Sequence, residues 1–424
     1  MKVLVIGSGG REHVIAWKLK QSPLVTKLYC APGNAGTIDS AENVNIKADD
    51  TSGLLKFVED NKIDFTVVGP EVPLEKGIVD IFSSKGLKIF GPSKAAARLE
   101  NSKSFSKDFM QKYGIPTAAY NVFSADESSK AKECLAEAAY PLVIKADGLA
   151  AGKGVIICSS HEEAAAAIED ILESKVFGSA GSSIVVEEFL EGSEASIFAI
   201  CDGTNYVVLP SSQDHKKIGE NETGKNTGGM GSYAPAVKVV TPEILEKVKK
   251  RIIEPVLQNM KNDRAEFKGC LYCGLMIDKN GDPFVIEFNT RFGDPETQAV
   301  LPLVKSDLLE MFMASESGNM DKYKLELNEG YCCCVVLASG GYPDGYETGK
   351  QISGLDNISD DCLVFHAGTR TENGEIVSSG GRVLNVVGYS KNSLKEAINT
   401  AYENAEKMEF ENKYFRKDIA TKGL

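Results

Sequence analysis

Apolar positions in residues 1 to about 92 come in short β-branched runs, KVLVIG, KLYCAPG, DFTVVGP and LKIFGP, separated by helical patterns such as REHVIAWKLKQ and LLKFVEDNK. This βαβ succession predicts an open parallel sheet. Residues 94–114 read as one helix ending at Gly114, ahead of Ile115 and Pro116. From 120 to about 190 the order is strand, helix, strand (PLVIKAD), glycine-rich loop, strand (GVIICS), alanine-rich helix and strand (SIVVEEFL). Antiparallel strands and long helices follow, to about 326. The last hundred residues carry short strands (YCCCVVLAS, LVFHAGT, GGRVLNVVG) and a charged amphipathic helix from about Asn392 to Met408. The expected units are therefore 1–103, 104–191, 192–326 and 327–424.

Residues 287–298, EFNTRFGDPETQ, are the most informative stretch. In GDPFVIEF the apolar residues 284, 286 and 288 fall on one face of a strand, so Glu287 and Asn289 share the other. A carboxylate plus an amide oxygen suits magnesium, which takes few protein ligands and completes its shell with water and phosphate oxygens. A nucleoside triphosphate is then expected nearby. Asn280 and Gly281 predict a two-residue type I′ hairpin, which sets Gly274 opposite Glu287 and leaves room there for a phosphate.

Composition narrows the partners. A formal net charge of −13 argues against a nucleic-acid or membrane surface, because both partners are anionic. No segment approaches the roughly 18 apolar residues of a membrane helix. MKVLVIGSGG is too short in apolar residues for a signal-peptide core and suits a buried first strand. The ten cysteines lack a secreted spacing pattern and read as reduced thiols of a cytoplasmic protein. On a strand, Cys270 and Cys273 face opposite sides, which disfavours zinc.

Further motifs point to phosphates. GSGGREH is a glycine turn at a helix start, with Gly7, Gly9, Gly10 and Arg11 as candidate contacts to a monophosphate. A dinucleotide fingerprint would need glycine where Glu12 stands and an acid where Cys30 and Ala31 stand, so a nicotinamide oxidoreductase is disfavoured. APGNAGT and VVGPEVPL follow strands and belong at the sheet's carboxyl edge. KADGLAAGKGV fails the Walker pattern at Asp147 and Gly154. It reads as a flap containing Gly152 and Gly154, with Lys145 as a fixed cation at its root. Lys103 is a second candidate cation. VVEEFLEGSEAS presents Glu188 and Glu194 at a junction of units, and SSQDHKKIG with NTGGMGSY adds Asp214, Lys216 and a backbone nest. No serine or cysteine stands at triad spacing from His215.

Together these motifs, with IFGP, GGYP, FHAGT, GGRVL and the closing RKDI, resemble the phosphoribosylamine–glycine ligase family of the ATP-grasp superfamily from end to end. The resemblance implies ATP-grasp architecture: an N-terminal open parallel α/β domain, a small α+β lid, a central ATP-grasp domain and a small β-rich C-terminal domain. It implies that Lys103, Lys145, Glu187, Glu188, Phe189, Leu190 and Glu194 serve ATP, and that Glu287 and Asn289 hold Mg²⁺ or Mn²⁺. Arg291, Asp214 and Lys216 would be catalytic, with Asn34, Glu71 and Asp294 beside the glycine loop in the substrate pocket. The implied reaction joins glycine to 5-phosphoribosylamine through glycyl phosphate in purine biosynthesis. Transient contact with the upstream phosphoribosylamine-forming enzyme is a possible partnership. The open alternative is another ATP-grasp carboxylate–amine ligase of purine metabolism.

Overall fold

A computed structural model describes residues 1–148, 154–174, 176 and 181–424. The first unit is a five-stranded parallel sheet in the order Glu42–Asn43, Lys27–Pro32, Lys2–Gly7, Phe65–Val68, Ile89–Phe90. Val3 to Ile6 are wholly buried because both faces are covered. Val3 and Val5 pack in one apolar cluster, Leu4 and Ile6 in another. The central strand ends at Gly7, so the glycine turn and the APGN and GPE loops collect at one carboxyl edge.

The single helix expected over 94–114 is two. Lys94–Asn101 and Lys103–Lys112 are separated by Ser102, which is extended (φ −133°, ψ 107°), and its side chain accepts from the Phe105 N–H. Asp147 reinforces the break by accepting from the Ser104 N–H (2.8 Å) and Ser104 Oγ (2.6 Å). Apolar periodicity runs through such a break unmarked, but the serine cap is a recognisable start signal. The break places Lys103 at the first turn of a new helix. Beyond it, Tyr120–Ser124, Ser183–Glu188, Leu142–Ala146 and Val155–Cys158 form a four-stranded antiparallel sheet in that order.

The central sheet runs Tyr206–Val208, Ser193–Asp202, Lys268–Ile277, Pro283–Asn289. Its last hairpin differs from expectation in two ways that cancel. The turn is not two-residue type I′: the Gly281 N–H bonds the Asp278 carbonyl (3.0 Å), and of the turn residues only Gly281 has positive φ (72°). A register shift then falls between Gly274 and Leu275, leaving Ile286 as an extra residue. Gly274 therefore still faces Glu287, but the face assignment of 284, 286 and 288 fails: Val285 and Phe288 enter the core, while Phe284 and Ile286 are half-buried. Glu287 and Asn289 remain two residues apart on either side of Phe288. The space at Gly274 is not free for a phosphate either. A Cβ there would lie 3.2 Å from Glu287 Cγ, so the glycine makes room for that side chain.

The last sheet mixes distant segments: Gln213–Asp214, Gly231–Ala234, Tyr331–Ser339, Arg382–Ser390 and Cys362–His366 pair in that order. Cys332, Cys333 and Cys334 are buried and free, and burial pushes each thiol up. Cys270 and Cys273 belong to different apolar clusters on opposite faces of their strand. No helix of the described residues is long and apolar enough to cross a membrane.

Two buried histidines join the first unit to the last sheet. His13 Nδ1 accepts from the His366 N–H (2.8 Å), and His366 Nδ1 lies 3.0 Å from Thr369 Oγ1. An accepting Nδ1 keeps His13 neutral. Burial pushes His13 down to about 3 and His366 down to about 4. In the unfolded chain both titrate near 6.5, so there the unfolded state binds more protons and acid favours it. The stabilising contribution is complete above pH 6.5 and is lost as pH falls toward 4. At pH 5 each histidine costs about 2 kcal/mol. Urea unfolding at pH 7.5 and 5.0 should show this loss, and His13→Gln should flatten it; a pH-independent midpoint would contradict the neutral pair.

Candidate active site

Where the two antiparallel sheets meet, charged side chains form a paired lattice. Glu187 Oε2 lies 2.9 Å from Lys145 Nζ and 3.0 Å from Lys107 Nζ, and all three side chains are at most 4% exposed. Lys145 also donates to the Ile286 carbonyl (3.0 Å), tying the lid strand to the bulge beside Glu287. Lys107 donates to Thr117 Oγ1 (2.8 Å), which donates to the Val285 carbonyl. Burial pushes Lys107 down to about 8 even with Glu187 beside it. Lys103 Nζ donates to the Gly148 carbonyl (3.1 Å), and burial lowers it too. Sequence reading missed Lys107, although its place on the helix that carries Lys103, one turn on, was a usable signal.

The outer part of the lattice opens to solvent. Lys216 Nζ stands 3.3 Å from Glu194 Oε2 and 3.9 Å from Glu287 Oε1, with these three side chains between 32% and 40% exposed. Burial pushes Glu287 up, but Lys216, Lys145, Lys103 and Arg291 outweigh it and hold the carboxyl below its usual range. Burial likewise disfavours charge on Lys216, and Glu194, Asp214 and Glu287 more than restore it. Asp214, buried beside this group, is pushed up to about 7 by burial against the pull of Lys216. Glu188 accepts from the Ala119 N–H (2.9 Å), and exposed Phe189 and half-buried Leu190 continue the junction to Glu194. Gly152 and most of the expected flap lie outside the described residues. At the flap's far root the Gly154 carbonyl accepts from Ala146, and Val155 O accepts from Asn226 Nδ2 (3.3 Å) of the NTGGMG motif.

Arg291 lies across the cleft. Nη2 reaches Glu100 Oε1 (2.8 Å) and Nε approaches Glu71 Oε2 (3.4 Å). Glu100, not anticipated from sequence, also accepts from Thr290 N and Oγ1, so the arginine's partner is itself fixed. Asp294 accepts from Arg11 N (3.2 Å) and Gln298 Nε2 (2.8 Å) and pairs with Arg382 Nη2 (3.4 Å).

The glycine loop is more occupied than a simple phosphate nest. Glu12 Oε2 accepts from the Gly9 N–H (2.6 Å) and Oε1 pairs with Arg11 Nε (2.5 Å). This carboxylate fills the space over Gly7, whose φ of +128° and 2.4 Å Cβ approach to Glu12 both demand glycine. Asn34 is saturated: Oδ1 accepts from Gly36 N and Thr37 N, and Nδ2 donates to the Ser8 and His366 carbonyls. The structure thus gives Asn34 a tethering role between loop and C-terminal sheet.

Glu287 and Asn289 behave in the opposite way. Among the described residues neither side chain takes part in a hydrogen bond, although nearly every neighbour does. An ionised carboxylate bound only by the 3.9 Å ion pair to Lys216, beside an amide without a hydrogen bond among the described residues, fits a divalent cation that binds few protein oxygens. No cluster of three acidic, histidine or cysteine side chains among the described residues offers a richer cage.

Comparison with known proteins gives the same direction. Models of phosphoribosylglycinamide synthetase match as the N domain over residues 1–100, the ATP-grasp (A) domain over 101–297 and the C domain over 332–422. The phosphoribosylamine–glycine ligase of Chlorobaculum tepidum is 50% identical over 100% of both chains. The chain belongs to the phosphoribosylamine–glycine ligase family. The family's enzyme from Caldanaerobacter subterraneus is 49% identical over 99% of each chain. The crystal structure of the Thermotoga maritima ligase matches with a TM-score of 0.84 at 35% identity, covering 99% of this chain and 100% of that one. Biotin carboxylase of Campylobacter jejuni, 16% identical with a TM-score of 0.72 over 97% of this chain and 92% of that one, shares the fold. This family member is accordingly an ATP-grasp, ADP-forming ligase.

The geometry at Arg291 yields a test. Lysine keeps the charge but cannot span Glu100 and Glu71 with one planar fork. Arg291→Lys should lower kcat roughly tenfold to a hundredfold, the scale of one or two charge-assisted hydrogen bonds, while ATP affinity changes little. An equal fall in both, measured by steady-state kinetics and nucleotide titration, would remove Arg291 from the reacting centre.

Proposed function

We propose that the chain joins glycine to 5-phosphoribosylamine at the Glu287 cleft, converting ATP to ADP and phosphate. The observation that carries the site is the Glu287–Asn289 pair, whose side chains make no hydrogen bond among the described residues, set where Lys103, Lys145 and Lys216 converge. Glycine's carboxylate attacks the γ-phosphorus and ADP leaves, giving glycyl phosphate; the sugar amine then attacks the acyl carbon and phosphate departs. No protein nucleophile is needed, so the residues act by position and charge. Lys145 and Lys103, held by Glu187 and by the Gly148 carbonyl, meet the triphosphate without having to be ordered first. Lys216 exchanges part of its pairing with Glu194 for phosphate oxygens. Arg291, fixed by Glu100, faces the acyl phosphate. Asp214, whose carboxyl burial pushes up to about 7, takes the proton released as the amine forms its bond.

Glu287 and Asn289 would hold magnesium, or manganese in its place. When bound, such an ion supplies neutralisation of phosphate charge. Glu188 to Glu194 offers backbone to adenine and carboxylate to ribose. The flap with Gly152 and Gly154 excludes water from the acyl phosphate. The sugar phosphate is assigned to the glycine-loop side, near Gly10, Arg11 and Glu71, while Gly7, Gly9 and Asn34 shape the loop through Glu12 and the Ser8 and His366 carbonyls. There Arg11 and Arg382 flank Asp294, and both hold its carboxyl below the usual range against burial. We assign the enzyme to the cytoplasm, where labile phosphoribosylamine would pass from the enzyme that makes it.

Coupled ADP release should require glycine and phosphoribosylamine together, and omission of either should stop it. Release that persists with formate or bicarbonate in place of glycine would select a different carboxylate–amine ligase. Glu287→Gln should abolish turnover while far-UV dichroism and melting stay those of the parent; near-normal activity would remove the metal assignment.

A further inference from the structure

Arg416, in the closing RKDI motif, is the largest wholly buried side chain of the described residues, and nothing in the reaction above uses it. Its guanidinium grips Asp418 with two bonds, Nε to Oδ1 (2.8 Å) and Nη2 to Oδ2 (2.7 Å). Its remaining donors leave the C-terminal segment altogether: Nη1 donates to the Lys217 carbonyl (3.0 Å) and Nη2 to Glu222 Oε1 (3.0 Å). Asp418 passes the grip on by accepting from the Asn221 N–H (2.8 Å), where φ is +55°.

Neighbouring residues hold the same loop. Tyr414 OH donates to the Ile218 carbonyl (2.7 Å), the Ala420 N–H donates to His215 Nε2 (3.1 Å), and Lys422 Nζ donates to the Asp214 carbonyl (2.8 Å). The backbone from 214 to 222 is thus fixed at both ends and in the middle by residues 414–422. Lys216 lies within this span and extends toward Glu194 and Glu287. A buried arginine making four directed bonds in one plane sets position more narrowly than apolar packing does.

We infer that Arg416, oriented by Asp418, is a positioning residue that sets Lys216 against Glu287 through the Lys217 carbonyl and Glu222. The inference rests on the nucleotide site proposed above. Its consequence is that a change in the chain's last ten residues alters nucleotide affinity through one lysine.

A double-mutant cycle on the full chain tests this, with magnesium AMP-PNP binding read by calorimetry. Arg416→Lys should weaken binding about tenfold, within the coupling range of residues that share a network. Lys216→Met should weaken it at least as much. In the Lys216→Met background Arg416→Lys should add nothing. The same weakening in both backgrounds, or a lowered melting temperature with unchanged affinity, would overturn the inference and leave Arg416 a fold-stabilising residue. If Arg416→Lys fails to fold, Asp418→Asn carries the same cycle, because it removes the orienting carboxylate and retains the arginine. Unchanged affinity in Lys216→Met alone would instead overturn the nucleotide site itself, and with it the role of Arg416.

Discussion

Among the described residues, Lys103, Lys107, Lys145, Lys216 and Arg291 gather between the sheets with Glu71, Glu100, Glu187, Glu194, Asp214 and Glu287, and each of these cations but Lys103 has a carboxylate of the group within 4 Å. Charges cannot be gathered in a low-dielectric interior unless they are paired, because desolvation costs several kcal/mol per ion. The inner members, Lys107, Lys145, Glu187 and Glu100, are almost fully buried and serve as a frame. The outer members, Lys216, Glu194 and Glu287, face solvent and are free to exchange partners. A polyanion entering this cleft meets cations already in place, which is the condition under which electrostatics lowers a barrier instead of merely strengthening binding.

The fold supplies the frame by bringing distant elements to one point. Lys103 and Lys107 come from a helix that exists because Ser102 and Asp147 break its predecessor. Lys145 and Glu187 stand on adjacent strands of the lid sheet, Glu287 on a bulged strand of the central sheet, and Lys216 on a loop braced by the chain's last residues. Lys103, Lys107, Lys145 and Glu187 are held through backbone carbonyls or buried ion pairs, so the inner frame is set by the sheets, whereas Lys216 and Glu287 keep half-exposed, exchangeable partners.

Much of this was legible beforehand. Parallel order in the first sheet follows from its βαβ rhythm, and residue type and spacing single out Glu287 and Asn289 as candidates. The Gly274–Glu287 pairing survives a wrong turn type, since the Asp278–Gly281 turn and the Ile286 bulge each shift the register by one and offset one another. Bulges and helix breaks depend on tertiary hydrogen bonds that leave little trace in periodicity. Glu100 and Arg416 carry no role in the sequence reading because a charged residue reads as surface until its partner is known, and those partners lie as far as 190 and 199 positions away. Asn34 shows the converse, a motif residue whose hydrogen-bonding capacity is consumed within the protein.

The proposed site sets a triphosphate against the Glu287–Asn289 pair within the lysine lattice. A crystal structure of the chain with magnesium and AMP-PNP tests it most directly. The metal is expected on Glu287 and Asn289, with phosphate oxygens reached by Lys103, Lys145 and Lys216. Analogue density elsewhere in the molecule, or a metal that leaves Glu287 untouched, would contradict it.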